Sequence, residues 1–367
     1  MLETLYPSLA KNASKWRTTR DWPRESLRLC GRHNIFRRLS GLPASAEETA
    51  SWTAVDQIET LIRLSQADLL TTFVITQHVG AIKRIAASDR LAQDHGTEGE
   101  LRDTVLPSLL SGQQIASVGI SHLTTSRLHL GRPAVAATPE SGGYRLNGTI
   151  PWVTGAPEVE QIVVGATLDD QSQILVLLSP TADGVQPGKG AEMISMSASC
   201  TDAVAINDVW IPESRILSGP RENVLAGGTR RSSDAATGAS TGAGGLQTSA
   251  LALGLSFAAL DYLRSESLKR ENLVPIVQRF DQEHQALHTT ILDAARGQSD
   301  FDAATIRTAA NGLVQRTTSA AMTTAKGAGL MVEHPVGRWC QQAFFFLVWS
   351  CPQPVAEAHL CELVGLE

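Results

Sequence analysis

The period of the hydrophobic pattern changes twice along this chain, and that order restricts the fold more than any single motif does. In residues 56–87, apolar side chains recur three and four positions apart, as in IETLIRLSQADLLTTFV, which is typical of amphipathic helices. Residues 116–220 instead form short alternating runs between turn residues, which indicate antiparallel strands. Helical spacing then returns. We therefore predict an α+β chain in which a β-domain separates two helical regions.

The second helical region follows a stretch of unusual composition. Residues 226–245, AGGTRRSSDAATGASTGAGG, can bury little apolar surface, which predicts a mobile loop. The next segment, LQTSALALGLSFAALDYLRSESLKR, has an almost wholly apolar first half, so we expect a helix inside a bundle or at a subunit interface. Further helices are predicted at 278–297 and 301–328. The predicted segments are an N-terminal helical domain (1–115), a middle β-domain (116–222), a flexible loop (223–246) and a C-terminal helical bundle (247–367).

Composition argues against several classes of protein. The 367 residues carry a formal net charge of -6 and no basic arm, which argues against nucleic-acid binding. The five cysteines are scattered without CxxC spacing, so they predict neither a disulfide framework nor a metal site. The N-terminus lacks an apolar signal region, and no apolar stretch reaches the roughly 20 residues of a membrane span. We therefore expect a cytoplasmic protein without nucleic-acid or membrane partners.

Four local strings follow one another in chain order: YRLNGTIPWVTGAPEVEQIVVGA, ASCTDAVAINDVWIPESRIL, KRENLVPIVQRFDQEHQAL and AKGAGLMVEHPVGRWCQQAFF. Together they resemble the acyl-CoA dehydrogenase superfamily. The resemblance covers almost the whole chain and implies an N-terminal helical domain, a middle antiparallel β-barrel domain and a C-terminal four-helix bundle. It also implies a homodimer or tetramer that binds FAD partly with residues of a neighbouring subunit. The implied reaction is oxidation of a CH–CH bond in an acyl thioester.

The resemblance assigns cofactor-binding roles to residues in separate segments. Trp152 and Thr154 match a family Trp-x-Thr in which the indole packs on the flavin and the Thr lies near its reactive nitrogen. A flat apolar wall with a few placed donors suits an isoalloxazine ring. Arg270 matches an arginine that reaches the FAD pyrophosphate of the partner subunit, and Gly327 belongs to the remnant of a glycine-rich turn. The alternative interpretation is a core tryptophan and an exposed helical arginine.

The segment ISHLTTSRLHLG (120–131) replaces a family loop that contacts phosphate and substrate. Ser121 stands where the family has Thr, and His122 stands where it has Glu. Ser126 offers a further hydroxyl to an anion. His122 and His129 are candidate general bases if they face the flavin cavity, and a plain polar loop is the alternative interpretation.

The segment FFFLVWSCPQPVAEAHL (344–360) corresponds to the region where the family carries its general base. Aligning Trp349 with the aromatic residue that precedes that glutamate puts Ser350 at the position of the base. A serine hydroxyl cannot accept an α-proton unless another group activates it, whereas a desolvated carboxylate can. We therefore predict an unorthodox or absent general base at Ser350.

Three functions remain open on the sequence alone. The first is an acyl-CoA dehydrogenase-like flavoenzyme acting on an acyl thioester or a similar small molecule, favoured by Trp152, Thr154 and Arg270. The second is a flavin monooxygenase or oxidase of the same superfamily, which does not require the glutamate. The third is a non-catalytic subunit that acts with a paralogous chain, favoured by the altered loop and the missing base.

Overall fold

The structure is a computed structural model. It describes residues 2–17, 19–42, 52–88, 105–123, 132–225, 245–298 and 302–366. Two candidate residues, Ser126 and His129, lie outside the described residues, as do residues 226–244 of the predicted loop.

The N-terminal region is helical, as the hydrophobic spacing predicts. Its helices are α1 (Leu5–Ala13), α2 (Arg24–Arg32), α3 (Ile35–Ser40), α4 (Ala54–Ala86) and α5 (105–111). Helix α4 begins at a capping box, because Thr53 accepts a hydrogen bond from the Asp56 N–H and the Asp56 carboxylate accepts one from the Thr53 N–H. Helix α5 ends before Gly112, which has a positive φ of 73°.

Helix α4 is interrupted at Asp68, where the backbone leaves the helical region (φ -157°, ψ 94°). The Asp68 carboxylate accepts hydrogen bonds from the N–H and the hydroxyl of Thr71, so it caps the second half of the helix. Its other partner is Trp16, whose indole N–H donates to it over 2.7 Å. The continuous periodicity of residues 56–87 did not predict this interruption.

The middle region is one sheet of eight strands. They are β1 (Ala116–Gly119), β2 (Val135–Glu140), β3 (Gly143–Val153), β4 (Gln161–Thr167), β5 (Gln173–Leu178), β6 (Val185–Pro187), β7 (Asp202–Pro212) and β8 (Ile216–Arg221). The strand order is β6-β7-β3-β2-β4-β5-β8, and β1 pairs with β4. Most pairings are antiparallel, as predicted, but β1 and β2 each pair with β4 in parallel. The alternating pattern predicts where strands lie but not whether paired strands run parallel, so it did not predict these two pairings.

The C-terminal region is again helical. Its helices are α6 (Gly245–Ser267), α7 (Val274–Ala295), α8 (Ala303–Ala325), α9 (Pro335–Ala343), α10 (Phe345–Val348) and α11 (Gln353–Val364). Helix α6 packs against α4, α7 and α8, which confirms the expectation that its apolar half is internal. Close approach to α4 requires Gly254, since a Cβ there would lie 2.3 Å from the Ile62 carbonyl oxygen.

Helix α6 is also, within the described ranges, the one helix that is long and apolar enough to cross a membrane. Most of its apolar window is buried inside the fold, so packing against neighbouring helices accounts for its composition. The order of helices, sheet and helices matches the predicted fold class.

His78 joins the helical layer to the start of the sheet. Its Nδ1 accepts a hydrogen bond from the Ala116 N–H over 3.0 Å, and its Nε2 lies 3.0 Å from the Leu109 carbonyl oxygen. Complete burial lowers the pKa of His78 to about 4, so the ring is neutral near pH 7. A neutral imidazole that donates at Nε2 and accepts at Nδ1 satisfies both contacts.

Candidate functional site

Hydroxyl groups from two turns meet at one end of the sheet. Thr154 follows β3 and is 2% exposed, and Thr201, just before β7, donates a hydrogen bond to its Oγ1 over 3.3 Å. The Ser199 and Thr201 hydroxyls are 2.8 Å apart and also hydrogen-bonded. Together with Trp152 at the end of β3, these residues form what we call the sheet-end cluster (Trp152, Thr154, Ser199, Thr201). The indole of Trp152 is 49% exposed, so the cluster combines a surface aromatic ring with buried hydroxyls.

Gly155 fixes the geometry of the first turn. Its N–H donates to the Ser199 carbonyl oxygen over 2.9 Å, and its φ is +70°. A Cβ at this position would lie 2.5 Å from the ring of Trp22. Because both the backbone conformation and the close approach of Trp22 disfavour a side chain, glycine is required to hold Thr154 beside Thr201.

Strand β1 ends at Gly119, and the short helical turn that follows carries Ser121 and His122. Gly119 faces β3, since a Cβ there would lie 2.8 Å from the Ile150 side chain. Ser121 is exposed, whereas His122 is buried and its Nε2 lies 2.8 Å from the Gly165 carbonyl oxygen. This contact gives His122 a structural role, because it joins the turn after β1 to β4. Its role as a base therefore stays a prediction.

Arg270 and Gly327 meet at a different corner, where α6 and α8 end. Arg270 donates to the Thr324 carbonyl oxygen over 3.1 Å and forms an ion pair with Glu266. Hydrogen bonds from Lys269 and Arg270 lower the pKa of Glu266, which keeps this carboxylate charged. Gly327 is exposed, and a Cβ there would meet no atom within 4 Å.

The segment from Trp349 to Pro352, which we call the C-terminal break, separates α10 from α11. The Trp349 ring stacks on Phe345 at 5.5 Å between ring centroids and contacts Phe73 of α4 edge-on at 4.7 Å. Ser350 is exposed and has a positive φ of 47°, a conformation that is strained for a residue with a side chain. Among the described residues, no hydrogen bond or ion pair joins Ser350 to a carboxylate.

Arg307 of α8 holds the C-terminal break in place, and sequence reasoning missed it. Its guanidinium is 1% exposed and donates to the carbonyl oxygens of Phe346 (3.2 Å) and Trp349 (3.1 Å) and to Asn311 Oδ1 (2.8 Å). Burial lowers the pKa of Arg307 to about 10. Its Nη1 has no acceptor among the described residues. The available signal was an arginine on the apolar face of α8 with an asparagine one turn later.

Cys351 lies beside this guanidinium. Burial raises the pKa of the Cys351 thiol and the charge of Arg307 opposes that shift. The described part of the chain holds no group of three or more His, Cys, Asp or Glu side chains suited to a metal ion. All five cysteines are free thiols.

The sequence of the chain is similar to that of a known enzyme over part of its length. No protein-family model matches the sequence. Over 165 residues the chain is 28% identical to benzylmalonyl-CoA dehydrogenase of Aromatoleum aromaticum (strain DSM 19018 / LMG 30748 / EbN1). That alignment covers 45% of this chain and 40% of the other protein, so it spans less than half of the relative's length.

Solved structures are similar over the whole chain. A glutaryl-coenzyme A dehydrogenase in complex with glutaryl-CoA is 16% identical, with a TM-score of 0.75, and the similarity covers 100% of this chain and 95% of that one. An FAD-dependent dehydrogenase is 18% identical (TM-score 0.70, covering 100% and 98%). The nitrososynthase of Micromonospora carbonacea var. africana is also 18% identical (TM-score 0.71, covering 100% and 95%). The chain therefore has the fold that these solved structures share, which includes that of glutaryl-coenzyme A dehydrogenase.

Proposed function

We propose that this chain is a flavin-dependent oxidoreductase that holds the flavin ring against the sheet-end cluster. The observation that carries the proposal is the combination of a half-exposed indole, Trp152, with the buried and hydrogen-bonded hydroxyl of Thr154. A flavin ring requires a flat apolar surface and a small number of fixed polar groups at its edge. The residues present at this end of the sheet fit those requirements, and the similar structures named above include an FAD-dependent dehydrogenase.

The chemistry that a bound flavin would supply is that of a hydride acceptor for the substrate. Trp152 would provide the apolar wall, and Thr154 would orient the ring edge through a hydroxyl that Thr201 holds in place. Ser121, exposed in the turn after β1, is a further polar residue that we assign to this site. At the other corner, Arg270 and Gly327 would receive the phosphates of a neighbouring subunit's FAD, through N–H donors of Arg270 other than those that serve Thr324, Glu266 and Tyr262. Because each FAD would then contact residues of two subunits, the proposed site requires at least a dimer.

The substrate that we propose is an acyl thioester or a chemically similar activated carbonyl compound. The exposed Ser350 lies at the C-terminal break, and no hydrogen bond joins it to a carboxylate among the described residues. Proton removal at the α-carbon would then depend on a group other than a carboxylate at position 350, with His122 and His129 as the proposed candidates. The similarity to benzylmalonyl-CoA dehydrogenase supports this class of substrate.

The test is uptake of flavin by the purified chain. After incubation with FAD and removal of excess, absorbance at about 450 nm measures the bound cofactor. We expect Trp152→Ala to weaken FAD binding by about tenfold or more, since a stacked aromatic wall contributes about 1 kcal/mol beyond its buried area. The matched control is Trp210→Ala, because Trp210 lies on β7 of the same sheet and is 37% exposed. Equal losses in the two variants would contradict the proposal.

A second candidate function is oxygen activation by a flavin monooxygenase or oxidase. It is favoured by the serine at position 350, since this chemistry does not require the carboxylate, and by similarity to a nitrososynthase. With externally reduced flavin and an amine substrate panel, this candidate predicts substrate-dependent oxygen consumption. Bleaching of the flavin by acyl-CoA without oxygen uptake would favour dehydrogenation instead.

A third outcome is a non-catalytic subunit. In that case the chain alone would take up no flavin, and activity would appear only when a paralogous chain is added. Full activity of the single chain would exclude this role.

A further inference from the structure

The N-terminal helices carry a positive charge that the rest of the chain does not share. Residues 11–38 contain nine lysine and arginine residues and two acidic ones, a net charge of +7, so the other residues carry -13 within the total of -6. A patch of one charge sign favours association with a partner of the opposite sign. None of these residues belongs to the flavin site proposed above, so that site does not account for the charge.

Helix α2 (Arg24–Arg32) presents three arginines of this segment along one face. Arg24, Arg28 and Arg32 follow one another at intervals of about one helical turn and are exposed to solvent, and we call them the arginine row. With a rise of about 1.5 Å per residue, the row is about 12 Å long and its charges repeat about every 6 Å. Like charges four residues apart destabilise a helix, so the row does not serve the stability of α2.

The direction of the arginine row is fixed by packing on the opposite face of α2. Ser26 and Cys30 are fully buried, and at Gly31 a Cβ would lie 2.2 Å from the Ser111 carbonyl oxygen at the end of α5. The Ser26 hydroxyl also accepts a hydrogen bond from Asn12 Nδ2 over 3.2 Å, which joins α2 to α1. The arginines are therefore presented by a packed helix.

Two of the three arginines have no partner within the described part of the chain. Arg24 forms an ion pair with Glu158 over 2.8 Å, which anchors the start of α2 to the turn before β4. Arg28 and Arg32 form neither a hydrogen bond nor an ion pair with any described residue. The acidic residue of α2, Glu25, pairs instead with a lysine that precedes the helix. The guanidinium groups of Arg28 and Arg32 therefore keep all of their N–H donors.

The size of the arginine row favours one kind of anionic partner. A nucleic-acid duplex or a membrane surface extends well beyond one helix, so it would also meet the negatively charged remainder of the chain. An acidic helix matches the row in length and in repeat, because carboxylates four residues apart also recur about every 6 Å. Arginine suits this pairing, since its planar guanidinium binds a carboxylate through two parallel hydrogen bonds.

We propose that the arginine row is the docking surface for an acidic α-helix of a partner protein, with Arg28 and Arg32 each receiving a carboxylate of that helix. The two carboxylates would stand one turn apart on one face of the partner helix. Arg24, already paired with Glu158, would border the contact and contribute less. Because the contact is exposed and charged, it would form rapidly and weaken as salt is added.

The test is fluorescence anisotropy with two labelled, alanine-rich helical peptides of identical composition. In the first peptide the glutamates stand four residues apart on one face of the helix, and in the second they stand five apart and spread around it. We expect the first peptide to bind about threefold or more tighter, with an affinity that falls as salt is added. The measurement uses no flavin, so its result does not depend on the function proposed above.

Paired variants separate a docking surface from a general effect of charge. Arg28→Gln with Arg32→Gln should weaken binding of the first peptide by about tenfold, as expected for the loss of two exposed ion pairs. Arg279→Gln with Arg316→Gln removes the same charge from α7 and α8 and should change the affinity by less than about twofold. Glutamine has a helix propensity close to that of arginine, so both double variants should stay folded.

Three results with the peptides would each overturn the proposal: equal losses in the two double variants, equal affinity for the two peptides, or no binding of either. Vesicles containing phosphatidylserine and a short DNA duplex are titrated in the same way. If either of these bound more tightly than the first peptide, and lost more affinity on Arg28→Gln with Arg32→Gln, the row would serve a membrane or a nucleic acid and the proposal would be wrong.

Discussion

The sheet-end cluster and the C-terminal break each place a hydroxyl residue after a tryptophan, yet the two hydroxyls are in opposite situations. Thr154 is buried, accepts a hydrogen bond from Thr201 and follows an exposed indole. Ser350 is exposed and strained, and it follows an indole packed against Phe73 and Phe345. At the first region the aromatic ring is half-exposed to solvent, and at the second it packs inside the fold.

This difference shows that a tryptophan at the position expected from the resemblance, such as Trp349, is weak evidence that the implied reaction is retained. Trp349 keeps its position because α4, α8 and α10 pack around it, and Arg307 binds its carbonyl oxygen. Those contacts persist whatever residue occupies position 350. Chemistry at the break must therefore be judged from Ser350 itself and from the groups around it.

The largest effect that we expect comes from removing the support of the C-terminal break. Arg307→Ala would leave the Trp349 carbonyl oxygen and Asn311 Oδ1 without a donor, and Asn311 Nδ2 would remain as the donor to the Phe346 carbonyl oxygen. The substitution would also open a cavity, so the free energy of unfolding should fall by about 4 kcal/mol. Urea unfolding measures this change in the free energy of unfolding.

Arg316→Ala, on the same helix as Arg307, removes a half-exposed arginine that pairs with Glu283 and should cost under about 1 kcal/mol. Similar losses in both variants would show that the break does not depend on Arg307.

A second effect concerns acid stability and two buried histidines, His78 of α4 and His284 of α7. Burial lowers the pKa of His78 and that of His284 to about 4 in the folded chain. The unfolded chain protonates these rings below about pH 6.5, so the free energy of unfolding should fall by roughly 3 kcal/mol per histidine as pH drops from 6.5 to 4. His78→Asn should remove about half of this pH dependence. A pH dependence that the variant leaves unchanged would contradict the assignment.

A smaller effect tests the strain at the break. Ser350→Gly should raise the free energy of unfolding by about 1 kcal/mol, because glycine adopts a positive φ without steric cost. Ser265→Gly is the matched control, since Ser265 is exposed within α6 and glycine should destabilise that helix by about 1 kcal/mol. Thermal unfolding distinguishes a gain of stability from a loss. A loss of stability in both variants would contradict the inference that the backbone at Ser350 is strained.

The smallest effect concerns the hydroxyl pair of the sheet-end cluster. A double-mutant cycle with Thr154→Val and Thr201→Val should give a coupling energy of about 1 kcal/mol, as expected for a buried neutral hydrogen bond. The exposed pair of Ser179 and Thr181, 2.9 Å apart, should show coupling close to zero in an equivalent cycle. Coupling of equal size at both pairs would mean that burial does not strengthen the cluster.

Much of the fold could be predicted because it depends on local periodicity. The apolar spacing of α4 and α6 and the alternation of β3 and β7 each reflect one face or one side turned to the core. The parallel pairing of β1 with β4 depends instead on how distant segments meet, which alternation does not encode. The interruption at Asp68 carries a local signal, an aspartate before an apolar run, but the helical spacing on both sides conceals it.

The candidate site divides in the same way. Trp152 and Thr154 could be proposed because they stand next to each other in a motif, and the structure places both at the sheet end. Arg307 does not belong to such a motif, and its importance comes from burial and from partners more than 20 residues away. A single sequence gives no measure of either quantity, so this residue emerged only with the fold.

The packing of α6 on α4 has a consequence for synthesis of the chain. The hydroxyl of Ser65 donates to the carbonyl oxygen of Leu251, a contact that spans 186 residues. At translation rates of about 5–20 residues per second, the ribosome needs roughly 10–40 s to supply the partner of α4 after α4 itself. During that interval the apolar face of α4 has no covering helix from the C-terminal region. The nascent chain should therefore depend on chaperone protection until residue 267 has left the ribosome.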